Sequence, residues 1–490
     1  MRFRPAVPIA ITLIVVVASA AAAQAPPVSA RVDAVELPAL ARQVAVGGTL
    51  RLEGVELDDA KKLATFELER FEVFAPDARI VVHGENGESV LPAPDNRYFR
   101  GTVAGDVRSS VLVTVLASGG VRGIAAGGGD SWVLAAEPAG LLARRVDATE
   151  LAAKSGSFTC ENDHFDMPED VSLFDDALGA LAGLKPVTGK ARELAAKAVG
   201  HTARVAVETD YELYQKLGGA TAAADYVGDL FAFASSLYGA EIETSLLVSH
   251  LSLWSTSADP WTQSSAGCGM MQFGRYWNDN NGTVERTIAH FVSGKSSGSG
   301  IAWVGVLCSG SFNYAGGESS GCPDLVPDVD NYGGAYGYTS GIDGDFDLDN
   351  PTVLWDIVAV SHEIGHNFAS KHTHCYAGIA GNPNPVDECY SGQCGSTGCF
   401  CDTPSLPGPT GEGSGTIMSY CHLRSGGYGN LSLTFGTGHP YGNAPGRVPD
   451  VMRAHVESRA QAAPACLAYQ AGSEVIFLDG FESGTITAWD

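Results

Sequence analysis

The sequence predicts an α/β domain in the second half of the chain and a β-rich region in the first half. After residue 200, segments with the two-residue alternation of β-strands are followed by segments with helical periodicity, an order typical of an α/β sandwich. Between residues 28 and 145, short β-type runs are separated by turn residues such as Pro94-Asp95-Asn96. The two halves are therefore expected to fold on different plans.

The chain begins with the three parts of a secretory signal peptide. Arg2 and Arg4 precede an apolar run at 6–17, and small residues continue to Ala25. The apolar run is shorter than the roughly 20 residues that a membrane-spanning helix needs, so a signal peptide is favoured over an anchor. We expect residues 1–25 to be removed from an extracellular protein, with passage through the periplasm in a Gram-negative cell.

The composition excludes two classes of partner. The 490 residues carry a formal net charge of −26, whereas nucleic acids and anionic membrane surfaces bind basic patches. The hydrophobic fraction of 45% allows a sizeable core. We expect a monomer without a stable membrane anchor.

Residues 26–165 are expected to form a β-rich scaffold. No nucleophile and base occur there at a recognisable spacing, and His83 is interpreted as a surface residue. The composition of residues 166–200 favours a linker that exposes a cleavage site, although one or two helices fit it equally. Strand-like runs lie at 66–74, 79–84, 110–117 and 131–136.

Residues 201–468 are expected to form the α/β domain, and residues 469–490 a tail without an assigned mechanism. The first helix of this domain has Tyr226, Leu230 and Phe233 at helical spacing. Strands are predicted at 203–214, 242–254 and 300–308, and helices at 221–238, around Val284 and at 448–460.

The most informative stretch is VSHEIGHNFASKH at residues 360–372. His362 and His366 are four residues apart, so they project from one face of a helix and can bind a single ion. Glu363 lies beside the first histidine, and His372 follows after the chain has turned back. Three histidine ligands leave one tetrahedral position open, which is the pattern of a catalytic zinc.

This arrangement can hydrolyse an amide bond. Zinc lowers the pKa of a bound water from 15.7 to about 7 and polarises a carbonyl. Glu363 can take the proton and pass it to the leaving amine. His374 and His422 lie nearby but do not have the ligand spacing.

The residues before the motif predict how its helix begins. Asn350 is a suitable N-cap and Pro351 a suitable first helical residue. Four acidic residues precede them and could hold calcium, but the glycine and glutamate of an EF-hand are missing, so a solvated acidic loop is favoured. These residues are Asp343, Asp345, Asp347 and Asp349.

HEIGHNFASKH and the later TIMSYCH at 416–422 together resemble the metzincin metallopeptidases, in particular the reprolysin or adamalysin-like enzymes. The resemblance implies a mixed, mostly parallel sheet with an antiparallel edge strand and an active-site helix. It implies that His362, His366 and His372 are the zinc ligands. It also implies that Glu363 is the general base and Met418 the methionine of the Met-turn.

The resemblance extends beyond the motif. GIAWVGVLC at 300–308 is similar to the substrate-binding edge strand, which implies that Ala302, Trp303 and Val304 pair with an extended peptide. NRYFRGTVAGDVRSSVLVTV is similar to the propeptides of these enzymes. The resemblance also implies a disulfide between Cys308 and Cys466.

Three residues depart from the pattern of the reprolysins. Ala369 replaces the glycine of the turn after the helix, where positive φ would cost alanine about 1 kcal/mol. Thr373 replaces the aspartate after the third histidine. Tyr420 lies two residues after Met418, as in astacins and serralysins, and either stabilises the tetrahedral intermediate or lines the pocket.

Eleven cysteines in an exported chain predict disulfides. Cys160 stands alone in the first 200 residues, so a cut after it leaves an even number. It is interpreted either as a thiolate that binds the zinc and keeps the enzyme latent or as an incidental thiol. For the cluster of Cys389, Cys394, Cys399 and Cys401, disulfides are favoured over a second zinc site.

These observations predict a secreted zinc endopeptidase, made as a zymogen whose own propeptide inhibits it and acting on protein or peptide substrates. The alternative is a binding or adhesion protein that keeps the fold without turnover. Broad nutritional and narrow processing peptidases are not distinguished, because specificity is expected to lie in pocket walls around residues 376–415.

Overall fold

In the computed structural model, the strands form two sheets, and the second sheet receives strands from both halves of the chain. The predicted signal peptide, most of the predicted linker, Asn350-Pro351, three of the four acidic residues and the C-terminal tail lie outside the described residues. The residues described are 28–31, 36–57, 62–127, 130–137, 140–147, 151, 158–164, 174–181, 200–314, 322, 331–344, 346 and 352–468.

The first half consists mostly of β-strands. They are β1 Val28–Arg31, β2 Thr49–Leu57, β3 Lys62–Phe71, β4 Phe74–Gly84, β5 Gly87–Leu91, β6 Arg97–Val103, β7 Asp106–Val115, β8 Val121–Gly127, β9 Asp130–Glu137 and β10 Gly140–Arg145. Seven of them close into a barrel in the order β2-β10-β9-β8-β7-β6-β3, because β3 pairs back onto β2, and β1 adds to β2. Leu52, Phe66 and Phe99 fill its interior. A β-rich N-terminal domain is therefore confirmed.

The second sheet has the order β11-β15-β16-β14-β12-β13-β4-β5. Its further strands are β11 Thr159–Cys160, β12 His201–Thr209, β13 Thr244–Trp254, β14 Ile288–Val292, β15 Ser299–Ala302 and β16 Tyr336–Thr339. Strands β4, β13, β12, β14 and β16 run parallel, and β15 is antiparallel to β16. The predicted mostly parallel sheet with an antiparallel edge strand is confirmed.

The helices pack around this sheet, except for the first, which packs on the barrel. They are α1 Leu37–Ala41 (in the barrel), α2 Phe174–Leu181, α3 Tyr211–Leu217, α4 Ala220–Ile242, α5 Ala266–Asn280, α6 Val353–Asn367, α7 Arg447–Ala462 and α8 Pro464–Leu467, with 3-10 turns at Glu161–His164, Thr373–Cys375, Ile379–Gly381, Cys421–Leu423 and Gly427–Asn430. Helix α4 is rich in alanine and apolar on most sides, so most of it is buried. Among the described residues, no helix is both long and apolar enough to cross a membrane.

Both outer parts of the second sheet come from the first half of the chain. Strand β4 lies alongside β13, and β5 follows it, whereas β11 lies alongside β15 at the opposite edge. Phe74 and Ile80 of β4 belong to the same buried cluster as helices α4 and α6. His83, expected at the surface, instead stacks on Trp254 of β13 with ring centroids 4.1 Å apart.

Several predicted boundaries are wrong for local reasons. Strand β12 ends at Thr209, because the Asp210 side chain caps α3 by accepting from the Leu213 backbone N–H. The helix expected around Val284 lies earlier, as α5. The predicted strand 300–308 ends at Ala302.

Disulfides tie the second domain together. Cys308 pairs with Cys466, as the resemblance implied, and joins the segment after β15 to α8. The four clustered cysteines are all in disulfides, so a second zinc site there is wrong. The other pairs are Cys268–Cys322, Cys375–Cys399, Cys389–Cys421 and Cys394–Cys401.

Candidate metal centre

Helix α6 carries two of the motif histidines into the interior of the molecule. Every residue of this helix is buried. Near its start, Asp356 accepts a hydrogen bond from the Gly344 backbone N–H at 3.0 Å. At its end, the Asn367 Nδ2 group donates to the carbonyls of Trp303 and Tyr336, each at 2.9 Å. The helix is thus held at both ends against the sheet.

The turn after α6 brings in the third histidine. Ala369 has a φ of 71°, in the left-handed region that favours glycine. The Ala369 N–H donates to the His366 carbonyl and the Ser370 N–H donates to the Gly365 carbonyl, which together form a Schellman motif. The chain therefore reverses with the geometry of the family glycine, and His372 returns to the helix.

The three histidines converge through their Nε2 atoms. The Nε2 atom of His362 lies 3.2 Å from that of His366 and 3.2 Å from that of His372. Each Nδ1 atom donates to an oxygen on the far side of its ring. The acceptors are the Ile417 carbonyl at 2.7 Å, the Ser370 carbonyl at 2.8 Å and Gln393 Oε1 at 2.9 Å, respectively.

These hydrogen bonds set the tautomer that a metal ligand needs. With the proton on Nδ1, the lone pair of Nε2 points toward the other two rings. Burial lowers the pKa of His362 and of His366 well below the usual value, so both imidazoles are neutral. The predicted ligand set is therefore brought together in a form ready to bind a cation.

Glu363 lies between the histidines and the edge strand. Its side chain is fully buried. A side chain at Gly300 of β15 would collide with the Glu363 carboxylate, so glycine is required there by close approach. The carboxylate therefore reaches the edge where an extended peptide can pair.

Met418, which the resemblance assigns to a Met-turn, packs against the part of α6 that carries the histidines. A side chain at Gly365 would collide with the Met418 sulfur, which shows how closely the methionine packs on α6. The Met418 carbonyl accepts from the Thr373 N–H at 3.0 Å. The methionine thus supports both the helix and the segment after the third histidine.

Cys160 is the fourth member of the cluster. Its Sγ atom lies 3.5 Å from Glu363 Oε2 and 3.5 Å from His366 Nε2, and its residue is 3% exposed. Potential ligand atoms of Cys160, His362, His366 and His372 all lie within 4.8 Å of one another. Three imidazole nitrogens and one sulfur fit the tetrahedral preference of zinc.

The Tyr420 side chain contacts the backbone of the same cysteine. The Tyr420 hydroxyl donates to the Cys160 carbonyl at 2.8 Å and accepts from the Cys160 N–H at 3.1 Å. Its ring packs on His372 with centroids 4.5 Å apart. In this form the hydroxyl therefore binds the segment that covers the cluster.

Two residues with roles at the site were not predicted. Gln393 Oε1 accepts from both His372 Nδ1 and His374 Nε2, so His374 supports the ligands without joining them. His422, considered as a competing ligand, instead donates from Nε2 to the Phe158 carbonyl at 3.0 Å. Phe158 itself was missed, because only its place beside Cys160 marks it in the sequence.

The predicted substrate strand differs from the observed edge. Strand β15 comprises Ser299–Ala302 and runs antiparallel to β16. It is the last strand on this side of the sheet apart from the two-residue β11. Trp303 is 2% exposed and its carbonyl accepts from Asn367, so it belongs to the core. Of the three predicted residues, only Ala302 lies on the edge strand.

The fold and the site define a metallopeptidase domain: an antiparallel edge strand, a buried helix with two histidines and a glutamate, and a third histidine after a tight turn. Residues 200–426 match the family model Reprolysin_5, described as metallo-peptidase family M12. The chain therefore carries a reprolysin-like M12 peptidase domain, as the motif predicted.

A search of curated proteins gave no significant match. Among solved structures, the chain is similar to the crystal structure of metalloproteinase-II from Bacteroides fragilis, with 10% identity and a TM-score of 0.33. The aligned region covers 77% of this chain and 95% of that one.

Proposed function

We propose that this protein is a secreted zinc endopeptidase made as a latent precursor. The observation that carries the proposal is the convergence of three histidine Nε2 atoms with Glu363 and the Cys160 sulfur, next to β15. The donor set fits zinc, and peptide hydrolysis follows from the family of the domain.

The residues of the chain have separate parts in the reaction. A bound zinc would supply Lewis acidity and lower the pKa of a water. Glu363 would accept a proton at its carboxylate and deliver it to the leaving amine. The outer edge of β15 would pair with the substrate backbone. The Tyr420 hydroxyl, released from Cys160, would donate to the oxygen that becomes negative as the amide is attacked.

Latency would come from residues 158–162, which we call the inhibitory segment. It adds β11 to the edge that a substrate would use, and it places a thiol among the ligands. A protein cut between this segment and the domain would lose both contacts. We therefore propose processing in the region 166–200, with residues 26–165 as propeptide and 201–468 as catalytic domain.

Export is supported by the five disulfides, since such bonds persist in oxidising compartments. The signal-peptide pattern of residues 1–25 agrees with it. The alternative of a silent binding protein is less well supported, because the ligands and Glu363 are all present and oriented.

The test uses the processed protein, a peptide mixture and a zinc chelator. The chelator should abolish cleavage, and added zinc should restore it. Glu363→Ala should lower kcat/KM by at least about 100-fold while zinc content stays unchanged. The exposed Glu412→Ala is the matched control and should behave as the unmodified protein. Substantial activity in Glu363→Ala, or activity that survives chelation, would overturn the proposal.

A further inference from the structure

The inhibitory segment fills two cradles besides the cluster of ligands. Phe158, two residues before Cys160, is 2% exposed, and its ring lies in a pocket. Glu161, the residue after Cys160, places its carboxylate in the second cradle. The contacts described for Phe158 and Glu161 come from residues after position 200, so these contacts belong to the peptidase domain and persist when the segment leaves.

The first cradle is an aromatic pocket. The Phe158 ring meets Trp355 edge-on with centroids 5.5 Å apart and meets His362 at 5.8 Å. His422 adds a third ring at 6.5 Å, and its Nε2 donates to the Phe158 carbonyl. Tyr428 packs on Trp355 behind them. The pocket thus binds an aromatic side chain and the backbone that carries it.

The second cradle binds a carboxylate. Glu161 Oε2 accepts from the Gly267 N–H at 2.7 Å, and Oε1 accepts from the Ser299 hydroxyl at 3.0 Å and the Ala266 N–H at 3.3 Å. The two N–H groups lie in the first turn of α5, whose dipole favours a negative charge. Ser299 belongs to β15, so the cradle spans the helix and the edge strand.

The spacing links both cradles to the reacting centre. Cys160 pairs with Gly300 and Thr159 with Ser299, while the Ala302 N–H donates to Asn162 Oδ1 at 3.1 Å. The segment therefore lies along the edge that a peptide would occupy. A substrate on this edge would present side chains to the same two places, which the segment reaches from two residues before and one residue after the Cys160 that contacts His366.

We propose that the two cradles are substrate subsites, and that the enzyme selects peptides with an aromatic residue on one side of the cleaved bond and Asp or Glu on the other. This inference rests on the proposed peptidase function and names its substrate class. It identifies Trp355, His422 and Ser299 as specificity-determining residues.

The first test is a cleavage profile of the processed protein on a mixed peptide library. Phe, Tyr or Trp should be enriched on one side of the cleaved bond and Asp or Glu on the other. In a matched set of synthetic substrates, Phe→Ala at the aromatic position should lower kcat/KM by at least about tenfold. Cleavage with a flat profile would overturn the subsites alone, whereas no cleavage of any peptide would overturn the peptidase function as well.

The second test separates recognition of the carboxylate from a structural effect. Ser299→Ala should lower kcat/KM about fivefold for a substrate with Glu at the acidic position, because one hydrogen bond to a charged group is lost. The same variant should lower kcat/KM clearly less for the matched Gln substrate, because a hydrogen bond to a neutral amide oxygen is weaker than one to a carboxylate. The control is Ser236→Ala, whose hydroxyl bonds only the Ala232 carbonyl of its own helix among the contacts described for it. Equal losses on the Glu and Gln substrates would overturn the carboxylate subsite.

Discussion

At one edge of the second sheet, β4 runs beside β13 from Phe74 to His83, with a bulge, whereas at the other edge β11 meets β15 only at Thr159 and Cys160. Both added strands come from the first half of the chain. The first carries side chains of the main core and continues into β5. The second ends at once in a 3-10 turn.

The contacts around the two edges differ in the same way. Beside β4, Arg122 of the barrel pairs with buried Asp229 of α4, and Asn96 donates to Asp225 at 2.8 Å. A side chain at Gly228 would collide with Tyr98 of the barrel. The β4 edge is thus a whole strand built into a continuous core, whereas the β11 edge has two paired residues, held by the buried Phe158 ring, one thiol and a few polar contacts.

Under the proposed function, this contrast separates folding from latency. An unpaired strand edge promotes association, so β13 would be a liability without β4 and β5. In the proposed function, the outer edge of β15 must in contrast become free for a substrate. We therefore expect damage at the β4 edge to lower the stability of the whole precursor, and damage at the β11 edge to change mainly its activity.

The largest effect is expected from Arg122→Ala. It would leave the Asp229 carboxylate buried without its cation, which costs about 3–5 kcal/mol. Burial already raises the pKa of Asp229 to about 6, above the value of about 4 for an unfolded chain. Between pH 6 and pH 4, the Asp229 carboxyl is therefore protonated in the folded protein and ionised in the unfolded chain. The stability deficit should therefore be largest at neutral pH and shrink toward pH 5, as measured by urea unfolding.

The matched control for this prediction is Arg51→Ala, which breaks exposed ion pairs of the barrel with Glu53 and Glu67. It should change the free energy of unfolding by less than about 1 kcal/mol. A similar loss in both variants, or a deficit in Arg122→Ala that does not depend on pH, would contradict a special role for the pair with Asp229.

A somewhat smaller effect is expected from Ile80→Ala in β4. Ile80 is fully buried, and removal of such a side chain costs about 2–5 kcal/mol. The unfolding of the peptidase domain, followed by tryptophan fluorescence, should shift together with that of the barrel, because the two share this core. Val90→Ala in β5 is the control, since Val90 is 58% exposed. Separate transitions, with only the barrel destabilised, would show that β4 is dispensable for the peptidase domain.

At the opposite edge, Cys160→Ala should leave the free energy of unfolding within about 1.5 kcal/mol, since it removes one small buried group. Activity of the uncleaved precursor should rise, because the thiol no longer competes for the zinc. Thr159→Ala removes an exposed side chain next to it and is the control. A precursor that stays silent after Cys160→Ala would assign latency to the strand pairing of β11 and not to the thiol.

The difference between the edges also shows how far the sequence could be interpreted. The spacing of His362 and His366 predicted that their rings would converge, because a helix has a fixed geometry. The pairing of β4 with β13 was not predictable, since it joins residues more than 160 positions apart and neither pattern specifies the partner. Gln393 was missed for the same reason. Its position depends on disulfides whose connectivity a count of cysteines leaves open.

The smallest effect is expected at the turn that brings His372 to the cleft. Ala369 has the φ that glycine adopts freely, so Ala369→Gly relieves about 1 kcal/mol of strain. Glycine also gives the unfolded chain more freedom, which offsets roughly 0.4–1 kcal/mol of that gain. We therefore expect a net change of less than about 1 kcal/mol, with zinc affinity and kcat/KM preserved, because the Schellman bonds to His366 and Gly365 involve only the backbone.

Ala232→Gly, within helix α4, is the matched control and should destabilise the protein clearly, since there glycine relieves no strain. Equal losses in the two variants would show that the left-handed turn does not set the position of His372.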